Sequence, residues 1–534
     1  MTTKNTEGGP RNVAIVEQAS RPATEAASRL APGMPARSGS NWLDRAALVY
    51  LALPVVVFLV GWLNWWAGLP LAALLAAGLR PAFSARNAAG TKGRARPVVA
   101  AAVLLLAAAW VALGGAGHLF YANFDWIVRD SVLRDLVIGR WPVGYGEVDG
   151  SSLLLRAPIA YYLPAAIVGK VCGLACADPA LLVWTMLGVA LFFGLAVSRE
   201  RRWPAMAVTL LVLVFFSGMD LVGTVIRGGW LLATKLQMTD HLEWWADRFQ
   251  YSSHTTQLFW VPNHALPGWI ATALLLKNVD RPRFMAVLPM LVAVLPLWSP
   301  LTAIGFLPLA AAWWLRQLML QRSFVNIDWL ALAAAVVVAI ASAAYLVLHA
   351  GAIRSGTTTG PGESMLFVVP HYLQFVLLEV GILWALLIVA APRVDLLLLV
   401  AGLVLLLLPI VEFGPSNDLA MRGSIPSLLV VAMAAAAALA HAARTRERKV
   451  LWPIVTLLVL GAPTALTEMT RSVAAPVWKP DYSHSLVPDP AKQDYPPHYI
   501  TPLPRDSWAT RLLRPVQDVN GRQDVPDATA REDK

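Results

Sequence analysis

Asp125 stands close behind an apolar run, in GHLFYANFDWIVRDSVLRDLVIGRWPVGY (117–145). A carboxylate where a chain leaves a bilayer is costly to bury and well placed to act on a head group. Such a group can take the proton of a hydroxyl nucleophile. It can equally cap the helix that follows. Residues 126–138 repeat at helical spacing: Val128, Val132, Leu133, Leu136 and Val137 make one face, and Asp130, Ser131, Arg134 and Asp135 the other. Asp130 and Arg134 form an i,i+4 pair. The pattern predicts an amphipathic helix lying in the interface, ended by Gly139 and Pro142.

A second group of residues suits an anionic, hydroxyl-rich ligand. Arg422 lies in FGPSNDLAMRGSIPSLLVVAM (413–433), where a span re-enters the membrane. A guanidinium there binds phosphate bidentately and can offset the charge of a phosphate leaving group. It can also pair with Asp418 or snorkel to the interface. Arg156 is a second phosphate candidate and Lys170 a lesser one. Tyr161 and Tyr162, His254, Trp260 and His264 (in YSSHTTQLFWVPNHALPGWIATAL, 251–274), Asn417, Asp418 and Asp130 are candidates for substrate binding. Rings stack on the apolar face of a sugar while polar groups bond its hydroxyls. The same tryptophans also fit an interfacial aromatic belt. The loop 227–256 gathers Arg227, Lys235, Asp240, His241, Glu243, Asp247 and Arg248. His241, Glu243 and His254 lack a recognised metal-ligand spacing. No metal ligands are assigned and no cofactor is expected, with a divalent metal left open. Asp220 falls near a span end. Glu379 falls nearer mid-span, where it lines a cavity or pairs with a neighbouring helix.

The elements that must position these residues are helices. The chain is 57% hydrophobic and 14% charged, against about 25% charged in soluble domains. Apolar runs occur near 46–63, 66–80, 97–121, 178–198, 203–226, 257–276, 284–298, 300–315, 328–349, 367–391, 395–411, 424–442 and 450–467. They predict an all-α polytopic membrane protein with about 11–13 transmembrane helices. Trp65, Trp66 and Pro70 mark either a tight turn or a kink between the first two. The net charge of +10 sits in alternate short loops: 80–96, 199–202, 277–283 and 441–449. That is the positive-inside pattern, with the N-terminus cytoplasmic, and not a nucleic-acid footprint. Loops 122–150, 227–256, 351–366 and 412–422 then face outward. Residues 1–44 read as a disordered cytoplasmic tail, 45–468 as the membrane domain, and 469–534 as an irregular outer tail. Segment 152–176, with Pro158 and Pro164, fits a re-entrant element better than a span. Cys172 and Cys176 are expected to be packing residues.

The order of apolar span, Asp125, amphipathic helix, GRWPVGY (139–145) and LRAPIAYYLPAAIVGK (155–170) resembles the first outer loop of GT-C-type glycosyltransferases. The resemblance covers about residues 117–176. It departs in having two extra spans before the Asp-bearing loop, and Asp125-Trp126 where the family has a pair of acids. It implies a GT-C-like fold with its catalytic loop at 122–176. It also implies a polyprenyl-phosphate-linked sugar as donor, a lipid or glycan acceptor, and a site on the outer face of a bacterial inner membrane. Asp125 would be the catalytic carboxylate, with Arg422 and Arg156 binding the donor phosphate. Membrane lipids are expected partners and nucleic acid is not. Two other readings stay open: an O-antigen-type polymerase or ligase relying on outer-loop arginines, and a non-enzymatic transporter of a lipid-linked substrate.

Overall fold

Long apolar runs fold as helices because backbone N–H and C=O groups that meet no water must satisfy one another. In the computed structural model the described residues are 41–84, 97–234, 241–353, 355–358, 364–391, 395–414, 417–487, 489, 492 and 496–519. The chain runs through α1 (Asn41–Trp62), α2 (Trp65–Phe83), α3 (Pro97–Leu113), α4 (Asp125–Ile138), β1 (Val143–Val148), β2 (Ser151–Leu155), α5 (Leu163–Cys172), α6 (Leu174–Val197), α7 (Trp203–Phe215) and α8 (Asp220–Thr234). It continues through α9 (His254–Trp260), α10 (Pro262–Lys277), α11 (Leu288–Trp298), α12 (Pro300–Gln321), α13 (Trp329–Val347), β3 (Ser355–Thr357), α14 (Met365–Val376), α15 (Ile382–Ala390) and α16 (Leu396–Leu407). The last elements are β4 (Val411–Phe413), α17 (Asp418–Gly423), α18 (Ile425–Thr445), α19 (Arg448–Ala474), β5 (Ile500–Pro504), α20 (Trp508–Leu512) and β6 (Gln517–Asp518).

Among the described residues, nine helices are long and apolar enough to cross a membrane. The chain is therefore a multi-pass membrane protein. Pro97–Leu113, Leu288–Trp298 and Leu396–Ile410 are apolar but shorter, and they coincide with three of the expected spans. Lipid gives helices little hydrophobic reason to associate, so shape and polar contacts hold the bundle. Tyr50 stacks on Trp184 at 4.1 Å and on Trp298 at 5.4 Å between ring centres. The Trp298 indole donates to the carbonyl of Leu51 at 2.8 Å.

Several expectations need correction. The run 97–121 stops being helical at Leu113. A side chain at Gly115 would lie 1.8 Å from the Trp126 indole nitrogen, so the glycine-rich turn lets α4 fold back against the bundle. The fold is not purely helical. A four-stranded sheet, in the order β5-β2-β1-β6, covers the end that carries Asp125. Strand β2 pairs antiparallel with β5, with Ser151 opposite Pro504 and Leu155 opposite Ile500. Segment 152–176 is thus not one re-entrant element but the end of β2 followed by α5. The C-terminal tail is more ordered than an irregular cap. Asn64, in the tight turn between α1 and α2, donates its side-chain amide to the carbonyls of Arg511 and Leu513, which fastens the tail down. Cys172 and Cys176 are not packing residues: they are bonded to each other across the α5–α6 junction, where Cys172 is exposed.

The opposite end of the bundle carries the basic loops, tied by ion pairs between Lys277 and Asp44 (2.5 Å), Arg199 and Asp280 (2.6 Å), and Arg80 and Asp328 (2.7 Å).

Candidate active site at the head of the Asp125 helix

Helix α4 starts where Asn123 folds under it. The Asn123 side chain accepts the Asp125 N–H at 3.1 Å and donates to the carbonyl of Phe259 at 2.9 Å. The Trp126 indole donates to the same carbonyl at 2.9 Å. Asn123 therefore does the capping, and the Asp125 carboxylate is left for another partner. That partner is Arg129, one turn on, at 3.3 Å. The Asp125 side chain is 33% exposed, while Arg129 is 4% exposed.

Arg129 is the hub of the site. It donates to Asn263 Oδ1 at 3.0 Å, to the Tyr162 hydroxyl at 3.3 Å and to the carbonyl of Trp260. Burial works against its charge, but Tyr162, Tyr499 and Asp125 outweigh burial and raise its pKa further above the ordinary arginine value. The next residue after Asn263 extends the site. His264 Nδ1 lies 2.6 Å from Ser299 Oγ, which bonds Thr302 Oγ1 at 2.7 Å. Thr302 donates to the carbonyl of Arg422 at 3.2 Å. A continuous polar chain thus leads from the His264 ring to the Arg422 helix, α17. Within α17 Arg422 pairs with Asp418, one turn earlier. This short helix is pressed against α12 where a side chain at Gly305 would lie 1.8 Å from the carbonyl of Gly423.

The tail closes the cluster. Burial raises the Tyr499 phenol, Arg129 and Arg422 pull it down, and Asp125 and Asp418 push it up. His498 is held below the ordinary histidine value by burial and by Arg422 and Arg156, against Asp418 and Asp125. The two Asp–Arg pairs therefore share one electrostatic neighbourhood at one end of the bundle. The arrangement offers a partly exposed carboxylate fixed by a buried guanidinium, with a second guanidinium supplied by a separate helix.

Of the residues chosen from sequence, Asp125, Tyr162, His264, Asp418 and Arg422 come together here. Asn417 adjoins them with a left-handed backbone (φ 53°), and its buried side-chain amide has no hydrogen-bond partner. Arg156 is nearby but donates to the carbonyls of Leu346 (3.0 Å) and Pro497 (2.6 Å), which locks strand to tail. Lys170 donates to the carbonyls of Val137 and Gly139. Trp260 turns its indole N–H to Glu468 at 2.8 Å. Tyr161 bonds Thr185 at 2.7 Å, and His254 bonds the carbonyl of Leu213 at 2.8 Å. Both are buried among helices.

The polar face assigned to α4 is corrected. Asp130 and Asp135 are 2% and 0% exposed. The expected Asp130–Arg134 pair does not form: Arg134 pairs with Asp135 at 2.7 Å, and Asp130 turns to His118. Sheet and tail cover Asp135 through Tyr145 and the Leu486 N–H, while Ser131 and Arg134 stay partly exposed. Among the described residues His241, Glu243 and His254 do not gather into a metal-ligand group; Glu243 accepts from the backbone of Ser253 at 2.8 Å and from Gln250. Glu379 accepts from the Trp245 indole at 2.8 Å, packed between helices. Lys235 and Asp240 lie outside the described residues. Arg129, Asn263, His498 and Tyr499 were missed by sequence reading. The i,i+4 spacing of Asp125 and Arg129, repeated in Asp418 and Arg422, was the available signal.

No family model, curated protein or solved structure matches the chain.

Proposed function

We propose that the chain is an integral membrane glycosyltransferase acting on the outer face of a bacterial inner membrane. It transfers a sugar from a polyprenyl-phosphate donor to a lipid or polysaccharide acceptor. The observation that carries this reading is the meeting of the Asp125–Arg129 and Asp418–Arg422 pairs at one end of a membrane bundle. A carboxylate that acts on an acceptor hydroxyl has to be reachable yet oriented, and Asp125 is both. Arg129 is a positioning residue, since both of its terminal nitrogens are committed to protein groups.

In the proposed reaction Asp125 accepts the proton of the acceptor hydroxyl as its oxygen attacks C1 of the donor. The bond from C1 to the phosphate oxygen breaks, and the phosphate leaves with the electron pair. Arg422 stabilises that charge. Attack from the opposite side inverts the anomeric centre. A carboxylate so placed contributes about 10²–10⁴-fold. The meeting of Arg129 and Arg422 also favours a second reading, an O-antigen-type polymerase or ligase, in which arginines carry the reaction.

The test is mass spectrometry of envelope lipids and polysaccharides from a deletion strain with and without the restored gene. The transferase reading expects one glycan to lose a single sugar residue. Loss of chain length alone favours the polymerase, and an unchanged glycan profile contradicts both.

A further inference from the structure

We propose that His118, Asp130 and Asp178 bind one divalent first-row metal ion, Zn²⁺ or Mn²⁺. The three ligands come from three elements: the glycine-rich turn after α3, the second turn of α4, and the start of α6. Each offers one ligand atom, and these atoms lie within 4.8 Å of one another. Donors about 2.0–2.2 Å from a shared ion stand at most about twice that distance apart, so a small adjustment closes the set around one centre. Imidazole with carboxylate oxygens suits zinc or manganese better than calcium or magnesium.

The independent observation is the state of the polar atoms. Asp130 Oδ2 and Asp178 Oδ1, on two of the three ligand residues, are buried with no hydrogen-bond partner. The His118 and Asp130 side chains are 4% and 3% exposed. His118 Nε2 lies 3.1 and 3.2 Å from the two oxygens of Asp130 and hydrogen-bonds one of them. Native proteins rarely leave a single buried polar atom unsatisfied, and an orphaned group calls for an ion or water to complete it. Here two orphans, on Asp130 and Asp178, belong to residues whose ligand atoms cluster with His118. A cation between two buried carboxylates offsets their mutual repulsion, as a shared proton otherwise would. The His118 ring is held in place by the edges of Trp478 (4.6 Å) and Trp126 (6.0 Å). Trp478 belongs to the tail, so that segment packs against the cluster. The metal site stands whichever reaction Asp125 performs.

The experiment uses the full chain, purified in detergent with a histidine-free tag, washed with chelator, incubated with Zn²⁺ or Mn²⁺ and desalted. Elemental analysis should find about one equivalent of metal, and the metal should raise the unfolding temperature in a way that EDTA reverses. Asp178→Asn and His118→Gln should each weaken binding by at least about tenfold. No retained metal and no shift in the wild-type protein overturns the proposal, leaving a buried water as the occupant. Retention unchanged in both variants overturns the assignment of ligands. If the variants do not fold, spin-echo spectroscopy of Mn²⁺ bound to the wild-type chain decides. Coupling to one histidine nitrogen supports the site, and its absence overturns it.

Discussion

Asp125 and Asp130 share one helix, about one and a half turns apart, and meet opposite surroundings. Asp125 is 33% exposed and faces a guanidinium that Tyr162, Asn263 and the Trp260 carbonyl hold still. Asp130 is 3% exposed and faces a histidine and a second carboxylate. A group that exchanges protons with a substrate needs a route to solvent and a fixed direction, and Asp125 has both. A buried group beside a second carboxylate holds a shared proton or a cation. Identical side chains on one helix are thus separated in surroundings by what covers each face. The open face is tied to α10 through the Arg129–Asn263 hydrogen bond. The closed face is sealed by the turn after α3, the start of α6 and Trp478.

Removing the hub should have the greatest consequence. Arg129→Met should lower stability by about 3 kcal/mol or more, because a buried charge partner is lost and several acceptors are stranded. Denaturant unfolding checks this, and an unchanged midpoint would erase the contrast between the two faces. Gly305→Ala places a methyl group against the Gly423 carbonyl. It should cost about 1–3 kcal/mol and displace the Arg422 helix. Activity should fall while metal content stays level, which separates the faces. Ser299→Ala cuts the chain from His264 to Thr302 and should cost about 1 kcal/mol, read by thermal unfolding. The weakest signal is a pH dependence at His498, whose folded-state pKa is depressed mainly by burial. The unfolded chain takes up this proton near pH 6.5 and the folded chain only at lower pH. Between those values the unfolded state binds more protons, so stability falls as pH falls. His498→Gln should remove that part of the slope, a change of about 1 kcal/mol or less across the window because the ring is partly screened by solvent. Unfolding midpoints measured at a series of pH values below neutrality check this.

Much of the bundle was legible because apolar runs leave a bilayer-solvated chain few alternatives. Helix α4 was legible in its bounds, with Gly139 as its cap, but not in its surroundings. Periodicity shows which residues share a face, and it cannot show that sheet and tail then cover Asp135 on the polar one. The sheet escaped notice because β2 finds its antiparallel partner β5 hundreds of residues further along the chain, and short strands carry little signal beside long helices. The cluster of His118, Asp130 and Asp178 escaped for the same reason: its ligands have no common spacing and meet only through packing. Asp125 and Arg422 were legible as charges at span ends. Arg129 was passed over because its neighbours Asp130 and Arg134 offered an equally good helical pair.

Everything proposed for the reaction rests on the Asp125 carboxylate taking the acceptor proton. The decisive comparison is glycan restoration in the deletion strain by the wild-type chain and by equally expressed Asp125→Asn, with the thermal unfolding of both purified proteins. If Asp125 does the chemistry, the variant still folds, with a lower unfolding temperature from the weakened Arg129 pair, and restores none of the missing sugar. Full restoration by the variant would contradict that role and leave Asp125 as a partner that merely holds Arg129.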